Sequence, residues 1–208
     1  MAIQEKRIEE WLVELASASA TPGGGSAAAL VGAMGAALLS MVCRLTIGKA
    51  RFADVEDELQ GVLAEAEALR DQLTGLADAD VQAFDQVMAA YRLPKETEEG
   101  RVARQVAIQA GLRQATEIPL QTVTACASVL GLVAQVIGRI NPSALSDGGA
   151  AALLAEAGLR AAQLNVSINL AAIQDEDFVR DRLQAMNRIV PGADQAREAV
   201  MAYVLAHE

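Results

Sequence analysis

The residues in this chain whose placement calls for chemistry are carboxylates and carboxamides set on otherwise apolar helical faces. Val55, Leu59, Val62, Ala66, Leu69, Leu73 and Leu76 recur in steps of three and four, and the same stripe resumes at Ala83, Val87 and Ala90. Between the two runs it passes through Asp80. A core-facing carboxylate is costly unless something pairs with it. Its pKa moves up through desolvation or down beside a cation. Asp80 is therefore either half of a structural ion pair or part of a functional groove. Asp78 and Asp85 fall off the stripe, and Asp78 still reaches a ligand from the helix edge.

A second stripe, Leu154, Gly158, Ala161, Asn165, Ile168 and Ala172, carries Asn165, with Asn169 one turn further on. Two carboxamides four apart each donate and accept hydrogen bonds. They serve either an inter-helix pair or a planar heterocycle. Gly23, Gly24, Gly25 and Ser26 open an Ala-rich helix whose first backbone N–H groups can hold an oxyanion or a carbonyl. No lysine follows in the place a Walker A motif requires. Gly48 and Lys49 read as a helix end, where glycine caps and a cation is favoured.

The 208 residues, with 52% hydrophobic content, suffice for one core, expected as a single domain over 1–208. Only 3% are aromatic, so helices meet over small side chains. A net charge of −10 and a pI near 4.6 argue against a general nucleic-acid binder. The start is polar and charged, unlike a signal peptide. The apolar run from Ala27 to Cys43 falls just short of the ~18 residues of a spanning helix, so no membrane is expected. Cys43 and Cys126 belong to no CxxC pair, which points to a reducing cytoplasm. His207 is the only histidine, so a Ser-His-Asp triad, a Cys-His dyad and a His-rich metal site are all excluded.

The pattern is all-α, a bundle of long helices. It predicts a short helix carrying Ile8, Trp11, Leu12 and Leu15, then one from Ser26, acting as cap, to about Ile47. Next come Asp54 to Leu93, ending before Pro94, and Glu96 to Ile140, kinked or broken at Pro119. Ser146 or Asp147 caps a helix from Gly148 to Ile173, and helices from Glu176 to Ile189 and from Ala193 onward complete the chain. "PGGGSAAALVGAMGAALL" and "SDGGAAALLAEAGLRAAQL" both set a Gly pair before an Ala-rich helix. Packed together, the two would bring their polar N-termini to one region.

Three ordered stretches, "TPGGGSAAALVGAMGAALLSMVCRLTIGK", "DADVQAFDQVMAAYRLPK" and "NPSALSDGGAAALLAEAGLRAAQLNVSINL", resemble the cyclodeaminase/cyclohydrolase family over roughly Trp11 to Phe178. That family comprises the C-terminal half of formiminotransferase-cyclodeaminase and the stand-alone bacterial methenyltetrahydrofolate cyclohydrolases, and the length is most similar to the latter, as found in methylotrophs. The resemblance implies an all-helical homodimer of antiparallel helices acting on tetrahydrofolate one-carbon derivatives, with no metal and no other cofactor. By position its Gly-rich turn falls on Gly23, Gly24, Gly25 and Ser26, and its lysine on Lys49. Its acidic helix falls on Asp78, Asp80 and Phe84, and its last motif on Ser146, Asp147, Asn165 and Asn169. The implied acid/base is Asp147 or Asp80, tuned by Lys49, and the other positions bind substrate. Arg44, Arg51, Arg92 or Lys95 is expected to meet the glutamate tail. The motifs serve both hydrolysis of the methenyl compound and release of ammonia from the formimino compound, and a non-catalytic folate-binding module is the remaining alternative.

Overall fold

The computed structural model describes residues 3–207. The expected 1–208 span therefore includes positions 1, 2 and 208, which lie outside the described residues. Six α-helices carry the fold: α1 (Ile8–Leu15), α2 (Gly24–Arg44), α3 (Glu56–Tyr91), α4 (Glu98–Val136), α5 (Leu145–Leu170) and α6 (Glu176–His207). Single 3-10 turns at Ala50–Val55, Ile137–Arg139 and Pro142–Ala144 join them. No strand occurs among the described residues.

Long helices linked by tight turns pack against their chain neighbours in antiparallel fashion. Gly111 of α4 lies against Val87 of α3, while near the far end Gln135 bonds Glu58. Gly148 of α5 meets Ile137, while Asn169 bonds Ala115 of α4. The antiparallel expectation fails for two pairs, since α2 and α4, each antiparallel to α5, run parallel where Gly32 meets Cys126, and so do α4 and α6. Arg182 bonds Glu117 and Tyr203 meets Gly138, so α6 runs parallel to α4. Helix α4 touches α2, α3, α5 and α6 and forms the middle of the bundle.

Small residues set the spacing. Where α2 crosses α5, a Cβ on Gly158 would stand 2.7 Å from the Ala28 carbonyl oxygen, and one on Gly35 would stand 2.8 Å from that of Ala151. The two backbones therefore touch, and alanine fills the remaining gaps. Leucines do the bulk of the burying, with Leu39, Leu59, Leu73, Leu130 and Leu159 almost fully enclosed. Each such side chain contributes about 1.5–3 kcal/mol relative to exposure.

Several boundaries differ from expectation. Helix α2 begins two residues early, with Gly23 as N-cap, and Ser26 turns its hydroxyl to another helix instead of capping its own. Helix α5 begins at Leu145, so Ser146 and Asp147 lie in its first turn and neither is the cap. Pro119 and Pro191 both sit inside continuous helices, so the predicted pair after Glu176 is one helix. A proline forfeits one backbone bond, and packing against neighbours outweighs that loss. Because α2 and α5 are antiparallel, their N-termini lie at opposite ends of the bundle, not in one region.

Helix α2 is also longer than the apolar run within it. Both Gly24–Arg44 and Glu98–Arg139 reach the length and apolarity of a spanning helix, and 61% of each apolar window is buried in the bundle. Not all of α2 is covered. Met34 and Met41 on α2 and Leu45 just past its end, with Leu153, Leu164 and Ile168 on α5, leave a broad apolar face exposed. Helix α1 stands over one edge of this face across an apolar groove of about 690 Å³.

Candidate active site

The start of α2 is where chemistry-bearing residues gather. Gly25 packs so closely on α3 that a Cβ there would collide with the carboxylate of Asp80. The buried Ser26 hydroxyl donates to the Ala77 carbonyl at 2.7 Å and is shared with Asp80 Oδ2 at 3.3 Å. The Ser26 backbone N–H also bonds Asp80. The carboxylate of one helix thus serves the free N–H groups and positive end of another. Burial raises the Asp80 pKa above the ordinary carboxylate value, and the Ser26 bonds offset only part of that rise. The sequence alternative of an ion pair is not realised, since no cation pairs with Asp80 among the described residues.

Asp80 opens into a pocket of about 240 Å³ lined by Gly23, Gly24, Gly25, Phe84, Asn165 and Asn169, with Thr21, Val87, Leu112 and Ala115 completing the wall. Both asparagines are held by backbone carbonyls. Asn165 Nδ2 donates to Ala161 one turn back at 2.9 Å. Asn169 Nδ2 donates to Ala115 at 2.7 Å. Ala115 is four residues before Pro119, whose missing N–H leaves that carbonyl without its helical partner. The proline thus explains why an asparagine from α5 is fixed here. Within the pocket, Phe84 supplies a partly exposed ring, and backbone and amide groups supply polar edges.

The remaining expected site residues lie elsewhere. Asp78 is half-buried and accepts the Ile3 backbone N–H at 2.9 Å, beside a separate small cavity bounded by Lys6 and Pro22. Lys49, Ser146 and Asp147 are at the opposite end of the bundle, where Asn141 bonds Leu45 and Thr46. Asp147 and Asn165 share α5 and stand roughly 27 Å apart by its rise. One chain therefore does not bring Asp147 or Lys49 to Asp80. Leu112 and Ala115, on the pocket wall, were not anticipated. The i+3 step between them was the available signal.

The profile of the family described as formiminotransferase-cyclodeaminase matches residues 7–188. The chain belongs to this family. Among its relatives, the methenyltetrahydrofolate cyclohydrolase of Methylorubrum extorquens is 47% identical over 193 residues, 93% of each chain. The formimidoyltransferase-cyclodeaminase of Rattus norvegicus is 37% identical over 85% of this chain, which spans only 33% of that longer protein. The family fold is matched by the crystal structure of formiminotetrahydrofolate cyclodeaminase from Thermotoga maritima, with a TM-score of 0.90, 27% identity and 98% of both chains covered.

A raised carboxyl pKa has a sign that can be checked. The ionised Asp80 is disfavoured in the fold, so it costs stability above its folded pKa. That cost shrinks as pH falls through the folded value and vanishes below the unfolded value of about 3.9. Asp80→Asn keeps an acceptor for Ser26 and removes the charge. Its Tm is expected to exceed wild type at pH 7 by on the order of 2 °C, with the difference closing toward pH 4 in thermal melts. A lower Tm at pH 7 would overturn this reading of the site.

Proposed function

We propose that this protein is a methenyltetrahydrofolate cyclohydrolase, converting 5,10-methenyltetrahydrofolate to 10-formyltetrahydrofolate. The observation that carries the reading is the 47% identity, over 93% of each chain, with a protein of that name. A desolvated carboxyl group facing a pocket of polar edges is in keeping with it.

In the substrate one carbon bridges two nitrogens as a cationic amidinium. Water adds to that carbon, and Asp80 takes the proton as its new C–O bond forms. The bond to the pterin-side nitrogen then breaks as the adduct hydroxyl gives its proton to solvent and becomes the formyl C=O, and Asp80 returns the first proton to that nitrogen. The formyl group stays on the other nitrogen, and one proton is released overall. A carboxyl group with a raised pKa suits both directions of transfer. The Asn165 and Asn169 carbonyl oxygens and the Gly-rich turn hold the heterocycle. Water and these side chains supply the chemistry, with no metal or other cofactor.

The working unit in this reading is a homodimer. The exposed apolar side chains of α2, α5 and α1 form a face of the kind that a second copy covers in a homodimer. A two-fold axis across the antiparallel α2/α5 pair would set the Asp80 end of one copy against the Lys49 and Asp147 end of the other. The second reading, a cyclodeaminase, is favoured by the Thermotoga maritima neighbour and shares the acid/base step.

Loss of methenyl absorbance above the buffer rate, without ammonia release from the formimino compound, is the expected result. Asp80→Asn should lower turnover by ~10²-fold or more. Ammonia release would move the assignment to the cyclodeaminase, and unchanged turnover in the variant would remove Asp80 from the mechanism. For the dimer, light scattering should give twice the chain mass of 21.7 kDa. If the Asp147 end of the second copy completes the site, Asp147→Asn is inactive as well, and mixing it with Asp80→Asn should restore part of the activity through hybrids. A monomer of full activity would contradict a shared site.

A further inference from the structure

The pocket wall ends at Val87 and Leu112, and beyond it the two helices that carry these residues run on together toward solvent. On α3, Asp80, Phe84, Val87 and Tyr91 follow in steps of four, three and four, so they share one face. On α4, Arg104, Ile108, Leu112 and Ala115 do the same. The two faces meet at the far end of this track, where the Arg104 guanidinium lies 5.5 Å from the centre of the Tyr91 ring. Its Nε donates to the Tyr91 carbonyl at 3.1 Å. Tyr91 is 44% exposed and Arg104 half-buried, so this end of the track is open to solvent.

Most arginines here are matched by a carboxylate, including neighbouring Arg101 with Glu98, and Arg113 with Asp175. Arg104 has no carboxylate partner among the described residues. Its Nε bond and the aromatic face beneath it fix the guanidinium plane and leave the two terminal nitrogens for an anion. In a chain of net charge −10, such a cation at the end of an apolar track has a specific value, because the overall field repels anions.

We propose that Arg104, oriented by Tyr91, binds a carboxylate of the substrate's glutamate tail, with the aryl ring of the substrate lying along Phe84. The proposal rests on the folate reading above and names the part of the substrate that the track takes. Asp80 to Tyr91 is about 16 Å of helix. An aryl ring, an amide and a glutamate in line span about 12 Å at ordinary bond lengths, and the arginine side chain covers the remainder. Of the tail cations expected from sequence, Arg44 is paired with Glu67 and Arg51 lies over Phe52 past the far end of α2, while Arg92 and Lys95 are exposed just past Tyr91, at the same end as Arg104.

The test is steady-state kinetics of wild type, Arg104→Ala and Arg104→Lys on two substrates, methenyltetrahydrofolate and its pteroate analogue lacking glutamate. With the glutamate-bearing substrate, Arg104→Ala should raise KM on the order of ten- to a hundred-fold, as loss of a charged hydrogen bond does. Its kcat should stay within about two-fold of wild type. Arg104→Lys should recover part of the loss, since it keeps the charge and loses the planar fork. With the pteroate analogue the three proteins should be alike. Equal losses on both substrates, or no loss on either, would overturn the proposal. Calorimetric binding of 4-aminobenzoylglutamate against 4-aminobenzoate separates this from the catalytic reading. A preference for the glutamate compound that disappears in Arg104→Ala supports the tail site even if wild type turns nothing over, and the absence of any preference overturns it.

Discussion

The structure depends on one contact, the insertion of the Asp80 carboxylate of α3 against the first turn of α2. A helix N-terminus carries unsatisfied N–H groups and a positive partial charge. Asp80 answers both through Ser26, and nothing larger than hydrogen fits on Gly25 between them. That contact fixes where α2 begins and sets its height against α3. Burial opposes it by disfavouring the charged form. The result is a carboxyl group held in place by the fold yet inclined to keep its proton.

The same close packing explains the composition. Gly35 and Gly158 bring α2 and α5 to backbone contact, which places Asn165 beside the Gly-rich turn and leaves its amide within 4 Å of where a Gly24 Cβ would stand. Pro119 adds a different device. By removing one N–H from α4 it frees the Ala115 carbonyl, and Asn169 takes it. Asn169 thus makes the inter-helix bond that its spacing allowed, to α4, while Asn165 is held by a carbonyl of its own helix, and both line the pocket. Packing and binding are thus served by the same side chains.

Much of this was legible in the sequence. Periodicity of 3.6 gave the all-α class and put Asp80 on the buried stripe, because helical spacing is a local property. Helix starts were less legible. Ser26 reads as a cap, yet its hydroxyl serves a residue 54 positions away, which no local pattern reveals. Pro191 reads as a break, yet tertiary packing carries the helix through it. The grouping of site residues was half legible. Position along the chain cannot show that antiparallel packing sends Lys49 and Asp147 to the end opposite Asp80. Arg104 was missed because what sets it apart is its seat on the Tyr91 ring and carbonyl, a contact between two helices that no local pattern reveals.

The central claim is that the fold holds Asp80 as a proton-binding group. The most direct measurement is the titration of its carboxyl carbon by NMR in isotopically labelled protein, assigned by loss of the signal in a variant lacking the aspartate. The midpoint should lie above the ordinary aspartate value of about 3.9, and higher again when Ser26 is replaced by alanine, because the hydroxyl bond that lowers it is lost. A midpoint at or below about 3.9, unmoved by Ser26→Ala, would contradict the claim.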